Sequence, residues 1–225
     1  MSKKLILLIP IVLLTFGCDR TKKTTKKTST QDRRTTATKR STTKKNVSTH
    51  DYEVKTLYVS VDGIDSNDGL DIEKPTTLLK ALDAMNTGDT IKLLAGTYTL
   101  NNILNITRSG SEVQRNILSC ENGVIIDFSS TKDDDTANNG GLFISGSYWE
   151  IDNLNIINSD NYGFNVTGRG VKLNDCTSKE NNSGGFYFNS SLTTVTNCLA
   201  ENNYLAGYLN LGKSLNLSET QFSYL

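Results

Sequence analysis

The side chains able to do acid–base, nucleophilic or metal chemistry are few in this sequence and stand far apart. His50 is the single histidine, and no histidine lies within 120 residues of Cys176 or Cys198. A cysteine nucleophile needs an adjacent base or a charge that lowers its pKa, so neither cysteine is assigned a catalytic role. Asp133, Asp134 and Asp135 form a run that could face a divalent cation. Consecutive carboxylates rarely converge on one ion, so the run reads as a solvated loop. Asp62, Asp65 and Asp68 have loose calcium-loop spacing but lack the downstream bidentate glutamate of an EF-hand. They read as turn formers. Aromatic platforms for a sugar ring remain: Tyr148, Trp149, Tyr162, Tyr187 and Tyr204 are the candidates.

A repeat positions these side chains. Gly141, Gly163, Gly185 and Gly207 recur every 22 residues, and a period of that size marks stacked structural units. After each glycine comes a large apolar or aromatic residue: Leu142, Phe164, Phe186 and Tyr208. Two further on stand Ile144, Val166, Phe188 and Asn210, the spacing of a strand with one buried face. A second inward row is Ile151, Leu173, Val195 and Leu217, and a third is Leu154, Cys176, Cys198 and Thr220. The polar residues just before that third row, Asn153, Asp175, Asn197 and Glu219, are expected to point outward or to turn the chain. Three short strands per coil with Asn/Gly/Ser turns describe an all-β solenoid, a parallel β-helix. No run at helical spacing long enough for a helical repeat exists here. The clustered asparagines before each coil suit left-handed turns and are expected to ladder through their amides. In this register Tyr187 faces outward, Trp149 falls in line with Val171 and Leu215 in the core, and Tyr162 and Tyr204 sit in turns. Tyr162, Tyr187 and Tyr204 are therefore the carbohydrate-contact candidates.

The ends and the charge bound the function. Lys3 and Lys4 precede an apolar run from Leu5 to Phe16 and then Gly17-Cys18, the pattern of an export signal too short to span a bilayer. Cysteine after the small residue points to a lipoprotein with Cys18 lipidated, although Thr15 departs from the usual box. An ordinary secretory leader is the alternative. Residues 19–50 are almost wholly Thr, Ser, Lys and Arg, with eleven basic and two acidic side chains, and read as a disordered tether. Export argues against nucleic acid as its partner. Beyond residue 50 stand 11 basic and 22 acidic side chains, a balance of −11. A polyuronate would be repelled from such a body unless cations screened it. Cys176 and Cys198 should stack in adjacent coils at a spacing a disulfide tolerates. Buried cysteine more often acts as an apolar filler, and free thiols are the reading preferred.

Ahead of the solenoid, Leu78, Leu79, Leu82 and Met85 have helical spacing, with Pro75 suited to the first turn. A single amphipathic helix there reads as an N-terminal cap. The strand ending in Asp65-Ser66-Asn67-Asp68-Gly69, this helix, Gly88-Asp89-Thr90-Ile91, Gly96-Thr97-Tyr98, Val124-Ile125-Ile126-Asp127-Phe128 and Gly146-Ser147-Tyr148-Trp149 follow in an order that resembles the ninth family of polysaccharide lyases. The resemblance covers about residues 56–212. It implies a right-handed parallel β-helix, a calcium ion held by several aspartates, and a lysine that removes the C5 proton of a uronate before β-elimination. The carry-over fails at the site positions. Where the resemblance implies an aspartate the chain has Asn181-Asn182-Ser183, and the next turn, Asn203-Tyr204-Leu205-Ala206-Gly207-Tyr208, holds no carboxylate. Lys213, the one lysine of the last coil, reads as a surface turn residue. No catalytic residue and no metal site are assigned.

The expected organisation is a leader at 1–17, a tether at 18–50, a cap with the first coils at 51–140, and regular coils at 141–225 that break off in the fourth repeat. The expected function is an exported, lipid-anchored, pectate-lyase-like β-helix protein of the cell envelope. It lacks complete catalytic machinery, needs no cofactor, and has a polysaccharide as its candidate partner. An active uronan lyase using calcium and a structural or adhesive envelope protein are the alternatives. An open last coil further suggests end-to-end self-association.

Overall fold

A computed structural model describes residues 52–129 and 141–224. Cys18, the Thr/Lys-rich segment and Asp133 to Asp135 lie outside the described residues. Among the described residues, short strands form three parallel sheets of seven, five and six strands. From Leu142 onward each coil visits the five-stranded, the seven-stranded and then the six-stranded sheet in turn. Phe164 lies between Leu142 and Phe186, Leu173 between Ile151 and Val195, and Thr177 between Asn155 and Leu199. The chain is a parallel β-helix, as its period implies.

The coil forms because each strand offers alternate side chains to one interior. Leu142, Ile144, Phe164, Val166, Phe186 and Phe188 are at most 1% exposed. Phe164 and Phe186 stack at 4.9 Å between ring centroids, tilted by 15°. Trp149 is buried in the core as its register requires, and its indole N–H donates to the Arg108 carbonyl at 2.7 Å. In the last coil the inward rows weaken: Tyr208 and Leu217 are each 36% exposed and Asn210 is exposed. The Tyr208 ring rests on Phe222 at 4.3 Å.

From Tyr148 onward, corners impose left-handed backbone at recurring places in the coils. One column is Asn153, Asp175, Asn197 and Glu219, the residues expected to turn the chain. A second is Asn158, Glu180 and Asn202, and a third is Tyr148, Gly170, Leu192 and Ser214, all with φ between 50° and 65°. Such φ values cost about 1–2 kcal/mol for most residues and less for Asn and Asp, which explains the amide-rich corners. Asparagines also stitch rungs together inside. Asn181 Nδ2 donates to Asn203 Oδ1 at 2.8 Å, and Asn181 Oδ1 accepts from the Ser159 amide at 2.9 Å.

Two expectations need correction. The helix spans Leu78–Ala84 and begins after Pro75, because the Thr77 side chain caps it by accepting from the Lys80 amide. Thr76 instead pairs with the strand Thr56–Val59, bridging Val59. Leu78, Ala81 and Met85 are buried, while Leu79 is 62% exposed and belongs to the outer face. Lys213 is exposed but opens the strand Lys213–Ser218 rather than a turn, its amide donating to the Ser190 carbonyl.

The aromatic stack should dominate stability. Phe186→Ala removes the ring that meets Phe164, Phe188 and Phe222, and is expected to cost about 3–5 kcal/mol in denaturant unfolding.

Candidate functional site

The outer face of the five-stranded sheet carries the residues most able to bind a ligand. Parallel register aligns Asn105, Phe143, Asn165, Tyr187 and Leu209 in one outward column. Beside it the strand Tyr162–Val166 starts with Tyr162, which pairs with Gly184. A Cβ at residue 184 would stand 2.7 Å from Tyr162 Cε1, so glycine there seats the ring. The Tyr162 and Tyr187 rings then meet at 5.2 Å, tilted by 44°. A groove of about 300 Å³ opens next to them, lined by Asn105, Phe143, Asn161, Tyr162 and Asn165 among others.

One atom in this groove is unsatisfied. Asn165 Oδ1 is buried and has no hydrogen-bond partner among the described residues. An orphaned buried acceptor costs about 1–3 kcal/mol, and a ligand hydroxyl would relieve it. Burial, helped by the neighbouring Tyr187, raises the Tyr162 pKa above the ordinary 10.0. At neutral pH Tyr162 is therefore a neutral hydroxyl, a hydrogen-bonding group rather than a base. Aromatic faces, amides and one hungry acceptor suit a sugar ring with its apolar face and its hydroxyls.

The structure brings together two of the three tyrosines named from the sequence. Tyr204 is 72% exposed, in the turn between the strands Leu199–Asn203 and Ala206–Asn210, and makes no ring contact among the described residues. Sequence reasoning missed Asn165, although it stands 22 residues before Tyr187 in the same outward column. The spacing was there; its lack of a partner was not visible. A larger groove of about 460 Å³ lies beside the helix. Its Asp65 accepts from Thr77 Oγ1 at 2.5 Å, tying its loop to the helix cap, while Asp68, outside this groove, accepts from the Leu70 amide within a turn.

The positions that the family resemblance marks for calcium do not suit that ion. Asn181 is 1% exposed and spends its amide on Ser178, Ser159 and Asn203. Asn182 Nδ2 donates to Asp160 Oδ1 at 3.0 Å, and the turn Asn181-Asn182-Ser183 itself holds no carboxylate, where calcium takes six to eight oxygens. Among the described residues no three His, Cys, Asp or Glu side chains gather as a metal set. The three described cysteines are buried. Cys176 and Cys198 are stacked free thiols, the Cys176 amide 3.3 Å from Cys198 Sγ. Burial pushes Cys176 upward, and pushes Cys120 up to about 12.

Comparison with known proteins agrees with this architecture. Residues 57–210 match the family described as Pel9A-like, right handed beta helix region. The chain is 27% identical over 157 residues to pectate lyase L of Dickeya chrysanthemi, and 26% identical over 157 residues to pectate lyase L of Dickeya dadantii (strain 3937). Each alignment covers 65% of this chain and 37% of the relative, so the chain spans well under half the length of either. Among solved structures, pectate lyase Pel9A superposes with a TM-score of 0.65 at 23% identity, covering 75% of this chain and 48% of that one. A rhamnogalacturonan lyase superposes at 0.58 with 19% identity, covering 74% and 51%. The chain belongs to the Pel9A-like right-handed β-helix family, distantly related to pectate lyases.

Two outcomes test the groove. Gly184→Ala, whose methyl would also lie 2.7 Å from the Ala206 carbonyl oxygen, should displace the Tyr162 ring and cost about 1–3 kcal/mol. In alkali the sign follows from the raised Tyr162 pKa. The folded state holds that proton more tightly than the unfolded state, so Tyr162 favours folding below pH about 10 and the benefit is lost as pH rises through its folded value. Tyr162→Phe should therefore reduce the alkaline loss of stability, measured by unfolding across pH about 9 to 12.

Proposed function

We propose that this member of the Pel9A-like right-handed β-helix family is an exported polysaccharide-binding protein, tethered to the envelope through a lipid on Cys18 and lacking a lyase catalytic set. The observation that carries the binding reading is Asn165 Oδ1, buried without a partner in a groove walled by Tyr162 and Phe143. A sugar hydroxyl completes that acceptor, while the Tyr162–Tyr187 pair offers aromatic surface to the ring's C–H face. The leader, Gly17-Cys18 and the Thr/Lys-rich segment that follows supply export and anchoring in this reading. Support for catalytic silence comes from the amides at Asn181 and Asn182, whose hydrogen bonds hold rungs together instead of a cation.

A second reading is a calcium-assisted uronan lyase, favoured by the kinship with pectate lyase L. In that reading a lysine would take the proton, yet Lys213 lies exposed at the head of its strand. The two readings part on product. The purified chain, given polygalacturonate and calcium, is expected to release no unsaturated uronide; release that disappears in Lys213→Ala would establish the lyase.

Binding is tested by calorimetric titration with neutral and acidic plant-cell-wall oligosaccharides. Tyr187→Ala is expected to weaken binding about tenfold, the weight of one aromatic contact of about 1–1.5 kcal/mol. Unchanged affinity in both Tyr187→Ala and Asn165→Ala would remove the sheet face as the site.

A further inference from the structure

We propose that the corner joining the five- and seven-stranded sheets, around Arg169, Tyr148 and Arg115, binds an oxyanionic group (a carboxylate or a sulfate ester) on a polysaccharide. That the carrier is a polysaccharide rests on the proposed function. The preference for an anion does not.

The charge distribution singles this corner out. Residues 51–225 carry twice as many acidic as basic side chains, and Arg108, Arg115 and Arg169 are the only arginines among them. All three fall on this one corner: Arg108 and Arg115 in the loop between the strands Leu104–Ile106 and Asn116–Cys120, and Arg169 two coils further on. The Arg108 carbonyl accepts from the Trp149 indole, the Tyr148 amide donates to the Arg169 carbonyl at 2.8 Å, and Arg115 Nη2 donates to the carbonyls of Trp149 and Gly170. Lys172 adds a fourth cation. Glu150 answers two of the four: its Oε2 lies 3.3 Å from Lys172 Nζ and 3.6 Å from Arg115 Nε. The latter distance is too long for a hydrogen bond, and Arg115 Nε is buried without a partner. Glu112 lies in the loop between Arg108 and Arg115, so four cations face Glu112 and Glu150, a balance of +2 (4 − 2) in an acidic body, and a polyanion can approach there.

The groups are arranged to donate. Tyr148 stands between two guanidinium groups: Arg115 Cζ is 5.8 Å from its ring centroid, and Arg169 Nε donates to its hydroxyl at 3.4 Å. Arg169 Nη1 donates to Ser191 Oγ at 3.2 Å. Arg169 is exposed, and both its side-chain partners are neutral hydroxyls. Each hydroxyl accepts from Arg169 and so keeps its own proton to give outward. Two O–H donors and the remaining guanidinium N–H groups therefore surround one exposed positive charge, the complement of a carboxylate or sulfate. Gly170 makes room for this, since a Cβ there would come within 3.0 Å of the Tyr148 ring. Its left-handed φ of 65° is the one the corner demands.

The test uses the full chain, so the basic segment 19–50 is common to every variant and cancels. Binding is measured by calorimetry with oligogalacturonate, with its fully methyl-esterified form, and with a sulfated neutral galactan oligosaccharide. The unaltered chain should bind an anionic form about tenfold more tightly than the ester. Arg169→Ala should erase that preference at unchanged thermal stability, Arg169→Lys should restore part of it, and Tyr148→Phe should weaken it a few-fold. The anionic oligosaccharide whose binding depends on Arg169 identifies the source of the oxyanion. Tyr187→Ala should leave the anion preference intact, because it reports on the sheet face; its loss of neutral-sugar binding stands or falls separately. Retention of the preference in Arg169→Ala, or binding confined to anionic phospholipid vesicles, would overturn the proposal.

Discussion

Stacking in register is the constraint on which this protein depends. Each rung buries its apolar side chains only if the next rung presents like side chains at the same place. Phe164 on Phe186 and Leu173 between Ile151 and Val195 meet that demand with apolar surface. Ser159, Asn181 and Asn203 meet it with hydrogen bonds, each amide satisfying the rung beside it. A buried polar group left alone would cost as much as a lost apolar contact. The ladder therefore specifies register as strictly as the phenylalanines do, since a slip of one residue would strand every amide.

The same constraint shapes the outer surface. Corners that must turn at fixed positions recruit left-handed residues in columns, and the corner column that contains Gly170 also holds Tyr148. Side chains flanking a corner are thus held at fixed heights and directions by backbone geometry. That is how guanidinium groups from different coils come to surround one tyrosine, and how Tyr162 comes to lie over Gly184 beside Tyr187. Both surface features arise from residues far apart in the chain that the solenoid brings to neighbouring heights.

Kinship is carried by the scaffold in this chain. The architecture is that of the pectate-lyase-like β-helix, and the scaffold requires only that inward positions be apolar or laddered. Asparagine at 181 satisfies the scaffold by donating to Ser178 and Asn203. The ladder needs a side chain that both donates and accepts, and an amide is one.

The fold was legible in the sequence from residue 141 onward because every coil there repeats at 22 residues. It was hidden earlier because the coils differ in length: Thr90 pairs with Ile117, which pairs with Glu150, and only then does the even spacing begin with Lys172. Periodicity sufficed to send Trp149 inward and Tyr187 outward, since inside and outside alternate along a strand. It also sufficed to name Tyr162 and Tyr187, but not to show that their rings touch while that of Tyr204 meets no other ring among the described residues. Only the tertiary structure decided that Asn165 has no partner and that three arginines share a corner. Whether a polar atom is satisfied, or a charge neutralised, depends on distances between rungs that a linear pattern does not contain. Sequence determines which side of the coil a residue faces; the packed coil determines what it meets there.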